Sequence, residues 1–190
     1  MPVAKVFDGI DDKLARWLER QPVFFVATAP RADDGHVNVS PKGTLGTFRV
    51  LDRDTVAYLD LTGSGAETLA HLRENGRITL MFCAFDGPPN IIRLYGTGAA
   101  VLPSAESFPS LVAGFDPHPG IRSVIRVDVS RVADSCGYAV PRMSLDAERD
   151  VLDLANAKKG PEKLASYRVA RNAASIDGLP AWPVDEPARP

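Results

Sequence analysis

Cysteine and histidine are scarce in this sequence. Among 190 residues there are two cysteines, Cys83 and Cys136, and three histidines, His36, His71 and His118. No pair of them has the spacing of a zinc site, and each histidine is expected at the surface or in a loop rather than as a ligand. Cys83 falls in an apolar strand pattern, which predicts a reduced core thiol. The sequence therefore indicates neither a disulfide framework nor a metal centre.

Long hydrophobic runs and an excess of one charge are also lacking. The longest apolar stretches, such as residues 78–85, are far shorter than the roughly 20 residues of a membrane helix. The first 14 residues contain no uninterrupted apolar run of the kind found in secretory signals. The formal net charge of −2 gives no electrostatic reason to expect nucleic acid or an anionic membrane as a partner. We therefore expect a cytoplasmic protein.

Turn-forming residues, by contrast, are abundant. The 15 glycines and 16 prolines disfavour a helical bundle, while 45% hydrophobic and 24% charged residues are ordinary for a globular protein. Alternating and β-branched runs between the turns indicate six or more strands with few helices between them. This pattern predicts a mainly β (α+β) fold, a small antiparallel barrel. The predicted strands are residues 23–29, 36–40, 47–51, 55–61, 77–85, 91–102 and 121–132.

Helical patterns flank the strands and dominate the C-terminal part. They cover residues 11–21, 66–75, 104–115 with Ser104 as N-cap, 144–158 and 161–172. We divide the chain into a barrel domain, residues 1–141, and a C-terminal helical extension and tail, residues 142–190. The proline-rich end, residues 179–190, is expected to be extended or frayed. Trp182 in this end is expected to be a hydrophobic anchor, or else a cover for a groove.

Two strands carry further information. Residues 77–85 are apolar on both faces, which is typical of a strand buried on both sides. A partner subunit would supply the second cover, so we expect a homodimer. In residues 91–102, Gly96 and Gly98 predict a bulge or a barrel bend.

Two places in the chain are candidates for holding an anion. Residues 40–44 end a strand with the hydroxyl of Ser40, the cation of Lys42 and a glycine, although spacing alone favours a plain turn with a solvated lysine. Residues 62–65, Thr-Gly-Ser-Gly, stand directly before a helix, whose free N–H groups favour an anion. There the alternative is a capping box of Ser64 and Glu67. Arg93, in mid-strand, is expected either at a solvent edge or paired with an anion.

Four runs of the sequence, taken in order, resemble a known family. They are Val37 to Gly43, Tyr58 to Gly65, Arg77 to Phe82 and Arg93 to Gly96. Together they are similar to the FMN-binding split barrel of the pyridoxamine 5′-phosphate oxidase family, over about residues 23–140. The resemblance implies a six-stranded antiparallel split barrel that forms a homodimer with FMN in a groove at the subunit interface.

The resemblance also implies roles for individual residues. Lys42 matches the basic residue that binds the flavin phosphate, and Leu61 and Thr62 match the pair that runs along the flavin ring. The stretch from Ser64 to Thr68 matches the turn and helix start that hold the phosphate. The expected cofactor-binding residues are Ser40, Lys42, Leu61, Thr62, Ser64, Gly65, Thr68 and Arg93.

The resemblance implies an FMN-dependent oxidoreductase that acts on a small-molecule substrate, and no side chain stands out as a catalytic acid or base. Members closest to the true oxidase carry an Arg-Lys pair where this chain has Ala66-Glu67-Thr68, and their C-terminal substrate-binding segments have no match. The expected substrate is therefore not pyridoxamine phosphate. One alternative keeps the fold and replaces FMN by F420, held by Arg93, Arg122 and Arg126. The other is a non-catalytic module that binds flavin or haem, with His36 and His118 near the groove.

Overall fold

The computed structural model describes residues 5–183, and its centre is one open antiparallel sheet. The strand order is β3-β2-β6-β7-β8-β5-β4, with β1 paired to β8. The sheet thus has eight strands, two more than the resemblance implies, and the mainly β class is confirmed. The strands are β1 (Val6–Phe7), β2 (Phe24–Thr28), β3 (Asn38–Lys42), β4 (Phe48–Asp52), β5 (Thr55–Leu61), β6 (Arg77–Cys83), β7 (Ile91–Val101) and β8 (Ile121–Ser135).

Four helices flank this sheet: α1 (Asp12–Glu19), α2 (Glu67–Glu74), α3 (Phe108–Val112) and α4 (Val151–Arg171). The prediction of a helix over residues 104–115 was wrong in its bounds. Pro109 is tolerated only in the first turn of a helix, and α3 accordingly begins at Phe108, with Ser107 rather than Ser104 at the N-cap position.

The C-terminal extension also departs from the expected bounds. Residues 142–150 are not helical, because tertiary contacts hold them: Met143 N–H donates to the Phe85 carbonyl, and the Glu148 carboxylate accepts from Leu45 N–H. The two predicted helices then follow as α4, broken at Gly160, whose φ of 70° is non-helical. The last residues of the tail, 184–190, lie outside the described part of the chain, as do residues 1–4.

The two faces of the sheet differ in burial. Directly opposite residues of antiparallel strands point to the same side, and one side carries the core, in which Phe24, Phe48, Tyr58 and Phe82 pack ring against ring. The opposite side carries two rows across β3, β2, β6 and β7, Val39-Ala27-Thr79-Tyr95 and Pro41-Phe25-Met81-Arg93. We call these two rows the outer face. Val39 is 63% exposed there, so one chain alone leaves the outer face partly uncovered.

The bulge predicted from the glycines of β7 is confirmed. The pairing of β7 with β8 shifts between Tyr95 and Gly96, so that Ser130 of β8 is the extra residue. Within residues 5–183 we find no helix that is both long enough and apolar enough to cross a membrane.

Candidate functional site

A buried ion pair lies where β5 meets the start of β8. The Arg122 guanidinium donates to both carboxylate oxygens of Asp60, from Nε to Oδ2 at 2.7 Å and from Nη2 to Oδ1 at 3.0 Å. The Ser123 hydroxyl adds a bond of 3.1 Å to Oδ2. Asp60 is fully buried and Arg122 is 3% exposed. A bidentate geometry of this kind is among the strongest that a carboxylate can make.

Lys42 extends this pair toward solvent. Its Nζ lies 3.7 Å from Asp60 Oδ1, and its side chain is 22% exposed. Burial by itself raises the pKa of Asp60, but Arg122, Lys42 and the Ser123 hydroxyl outweigh it and hold the pKa below the ordinary value. The carboxylate is therefore ionised at neutral pH. Lys42, predicted to bind phosphate, thus lies at the mouth of a charged cluster rather than free in solvent.

The turn at residues 62–65 lies beside this pair and is covered by the C-terminal extension. Arg122 Nη1 donates to the Gly65 carbonyl at 2.8 Å. From α4, Arg168 Nε donates to the Thr62 hydroxyl at 2.9 Å, while the Asn172 amide donates to the carbonyls of Gly63 and Ser64. Thr62 is consequently buried, whereas Ser64 and Gly65 remain exposed.

The capping box predicted for this turn was wrong. Ala66, not Ser64, occupies the N-cap position of α2, and no side-chain cap is formed there. Instead Glu67 bends back, so that its Oε2 accepts from Ala66 N–H and its Oε1 accepts from Ile176 N–H. The Glu67 carboxylate therefore joins the helix start to the C-terminal extension, and the Ser64 hydroxyl is not used as a cap.

A hydrogen-bond network joins two other predicted residues, Ser40 and Thr68. The Ser40 hydroxyl donates to Asn38 Oδ1, and the Asn38 amide donates to the hydroxyls of Thr28 and Thr68. Thr28 in turn lies 2.9 Å from His71 Nδ1. Because the Ser40 hydrogen points inward to Asn38, its lone pairs are left for an N–H or O–H donor. Ser40 is thus suited to accept from a ligand rather than to donate to a phosphate.

His71 is the inner end of this network, and its expected place at the surface or in a loop was wrong. It is fully buried on α2, and burial lowers its pKa more than the nearby carboxylates raise it. The Thr28 hydroxyl and His71 Nδ1 share this hydrogen bond, and Nε2 on the other side of the ring is buried without a partner among the described residues. A buried aromatic nitrogen on a helix face packed against β2 was not foreseeable from spacing alone.

The remaining predicted residues lie elsewhere. Leu61 packs in a smaller apolar cluster with Leu59 and Phe115. Arg93 lies on the outer face and donates from Nη1 to the Ser135 hydroxyl at 2.7 Å, so a neutral oxygen rather than an anion is its partner. Arg126, grouped with Arg93 and Arg122 for F420, contacts Asp128. The three arginines therefore have three different partners.

The two histidines expected near a groove both contact the C-terminal part of the chain. His36 Nδ1 lies 2.6 Å from Asp177 Oδ1, and His118 Nε2 lies 2.9 Å from Asp153 Oδ1. The hydrogen bond between His36 and Asp177 raises the pKa of His36 and lowers the pKa of Asp177. Within the described residues no cluster of three potential metal ligands occurs. Both histidines thus face carboxylates of the C-terminal extension.

Sequence reasoning missed three residues of this site: Asp60, Arg168 and Asn172. A signal existed for Asp60, the one carboxylate in a run whose other members from Val56 to Leu61 are apolar or aromatic. A buried charge of this kind implies a cationic partner. Arg168 and Asn172 had no such signal, because about 100 residues separate them from the turn that they contact.

Comparison with known protein families identifies the family of this chain. The family model described as pyridoxamine 5′-phosphate oxidase matches residues 10–136. This chain belongs to the pyridoxamine 5′-phosphate oxidase family. A curated relative, the pyridoxamine 5′-phosphate oxidase family protein ustO of Aspergillus flavus, is 38% identical over 196 residues, which cover 95% of this chain and 78% of the relative. The match to the family, inferred above from four short runs, is thereby confirmed.

Solved structures that are similar to this chain are more distant in sequence. The Group A Streptococcus protein HupZ is 21% identical, with a TM-score of 0.52 over 71% of this chain and 99% of HupZ. An FMN-binding protein from Syntrophomonas wolfei is 16% identical, with a TM-score of 0.46 over 63% of this chain and 80% of that protein. At 21% identity the similarity to HupZ concerns the fold alone.

Proposed function

We propose that this protein binds FMN and acts as a flavin-dependent oxidoreductase on a small molecule. The observation that carries the proposal is the convergence of Lys42 from β3, the turn 62–65 from the end of β5 and Arg122 from β8 at one place. Residues matched to the phosphate-binding positions of the family thus become neighbours in space. The family membership of the chain supports the choice of a flavin over other phosphorylated ligands.

The chemistry of the side chains at this place fits FMN. Lys42, Arg122 and Arg168 provide positive charge for a phosphate, and the exposed Ser64 and Gly65 allow close approach. In addition, Asn172 Oδ1 is buried without a hydrogen-bond donor among the described residues. Such an acceptor suits the hydroxyl groups of a ribityl chain.

The roles of the residues follow from this chemistry. The bound flavin would supply hydride transfer, so the protein needs no acid or base of its own. Lys42 holds the phosphate by charge, and Asp60 keeps Lys42 and Arg122 in position. Ser40, whose hydrogen is directed to Asn38, accepts a hydrogen bond from the ligand. The buried network behind Ser40 fixes the direction of that bond.

Titration of the purified protein with FMN, followed by flavin fluorescence and visible absorbance, tests this proposal. We expect a yellow complex, and we expect Lys42→Gln to weaken FMN binding about tenfold, since it removes one charge-assisted contact. Lys158→Gln, which changes an exposed lysine of α4, is the matched control and should bind as the wild type does. Absence of FMN binding by the wild type would refute the proposal, and a parallel titration with F420 tests the alternative cofactor.

The second part of the proposal is a homodimer formed through the outer face. Half-buried Phe25 and Met81 and exposed Val39 form an apolar surface there, beside the predicted two-sided strand β6. Burial of such a surface against a second copy removes it from water. It also places the end of β3, with Lys42, near the neighbouring subunit.

Light scattering tests the predicted homodimer by measuring the molecular mass in solution. The wild type should have the mass of two chains, and Val39→Asp should shift it toward one chain, because a carboxylate would be buried without a partner. Leu51→Asp is the control: Leu51 is 41% exposed on β4, at the opposite edge of the sheet, and the variant should remain dimeric. A wild type with the mass of a single chain would contradict the prediction.

A further inference from the structure

We propose that Arg168 of α4 supplies the positive charge that the start of α2 lacks, and that it sets the preference of this protein for a phosphorylated flavin. The inference rests on the proposed function and assigns a specificity residue to it. Ala66, Glu67 and Thr68 bring no cation to the helix start. Arg168 reaches the same turn from a different part of the chain, by its bond to Thr62.

The balance of charge around the turn favours an anion. We define the turn cluster as the charged residues joined to residues 62–67 or to one another there. Arg168 and Arg122 influence each other electrostatically, and Lys42 contacts the carboxylate of Asp60. The cluster has three cations and two carboxylates: Lys42, Arg122, Arg168, Asp60 and Glu67. Positive charge therefore exceeds negative charge in a half-buried place, where an unpaired charge is costly.

Within this cluster Arg168 is the cation without a carboxylate partner among residues 5–183. Arg122 and Lys42 both contact the carboxylate of Asp60. Arg168 instead donates to neutral oxygens, those of the Thr62 hydroxyl and the Ile121 carbonyl. The Trp182 ring lies 5.4 Å from its guanidinium carbon. Burial, followed by the Arg122 charge, lowers the pKa of Arg168.

Donors remain on Arg168 for a ligand. A guanidinium has five N–H groups in a fixed fork, and two atoms of Arg168, Nε and Nη2, make the bonds described. Nη1 makes no hydrogen bond to the described residues and is available for an oxygen. A phosphate monoester offers several such oxygens together with negative charge. The α4 helix thus completes a phosphate site that the barrel begins.

Comparison of FMN with riboflavin, which lacks the phosphate, isolates this role. For Arg168→Gln we expect the ratio of riboflavin to FMN dissociation constants to fall about tenfold or more, with riboflavin binding unchanged. Arg171→Gln, at an exposed position of the same helix, should keep the wild-type ratio. An unchanged ratio in Arg168→Gln, with both affinities equal to the wild type or lowered together, would show that Arg168 only attaches α4 to the barrel. If Arg168→Gln does not fold, Arg168→Lys tests the inference instead. An ammonium group lacks the planar, forked donors of a guanidinium, so we expect the ratio of riboflavin to FMN dissociation constants to fall about threefold. An unchanged ratio in Arg168→Lys would overturn the inference.

Inorganic phosphate gives a readout that needs no flavin. Phosphate should raise the thermal midpoint of the wild type above that in chloride of equal ionic strength, and Arg168→Gln should lose this increase. A wild type that binds neither flavin but keeps an Arg168-dependent phosphate effect would refute the proposed function and leave the anion site standing. Binding of FMN with a ratio insensitive to Arg168, and no phosphate effect, would overturn the inference and leave the proposed function standing.

Discussion

Replacement of Asp60 by alanine is expected to lower the free energy of unfolding by about 3–5 kcal/mol. The variant would leave the guanidinium of Arg122, which is 3% exposed, without its carboxylate. It would also remove the contact of Lys42 at 3.7 Å. Because domains of this size are stable by only about 5–15 kcal/mol, the loss is a large fraction of the total. Urea unfolding, followed by circular dichroism, measures it.

An exposed ion pair is the control that separates the effect of burial from the effect of losing a charge. Arg126 and Asp128 form an ion pair whose side chains are 42% and 61% exposed, so Asp128→Asn should cost less than about 1 kcal/mol. The double variant Asp60→Leu with Arg122→Met should recover most of the stability, since it removes both buried charges. Equal costs for Asp60→Ala and Asp128→Asn would contradict the view that burial makes the first pair important.

The same pair predicts a dependence on pH. The pKa of Asp60 lies below the ordinary value of 3.8, so its contribution to stability is present above that pH and is lost as the pH falls through the folded-state pKa. The acid limb of the wild-type stability curve should therefore be steeper than that of Asp60→Ala.

Gly96→Ala is expected to destabilise the fold by about 2–3 kcal/mol, because there is no room for the added methyl group. A Cβ at position 96 would overlap with the carbonyl oxygen of Asp128, and Val127 Cγ1 would lie at 3.1 Å. These are atoms of β8 at the bulge, so the two central strands would have to separate. Thermal and urea unfolding measure the loss.

Gly114→Ala is the control for the glycine substitution itself. Gly114 follows α3, and the atom nearest to an added Cβ, the Leu111 carbonyl oxygen, would be 3.5 Å away, an ordinary contact. The change in stability there should be within about 0.5 kcal/mol of zero. A Gly96→Ala variant as stable as Gly114→Ala would show that β7 and β8 tolerate a wider bulge than the structure indicates.

How much of the fold and the site followed from the sequence depends on the range of the interactions involved. Strands β2, β5 and β7 were predicted to within two residues at each end, because alternation of side chains and the glycines and prolines between strands are local features. The start of α3 was missed, as was the non-helical conformation of residues 144–150, which were predicted to be helical. A proline position and two tertiary hydrogen bonds decided them, against the helical pattern.

The sequence alone determined the mainly β class, the family and the identity of the residues at the ends of β3 and β5. Short motifs and the alternation of apolar and polar side chains depend only on residues that are close together in the chain. Only the tertiary structure decided that Lys42, Asp60, Arg122 and Arg168 meet. These four residues come from three strands and a helix, and strand pairing together with the docking of α4 brings them together. Charge partners far apart in the chain leave no local pattern, and their energetic importance arises from burial, which exists only after folding.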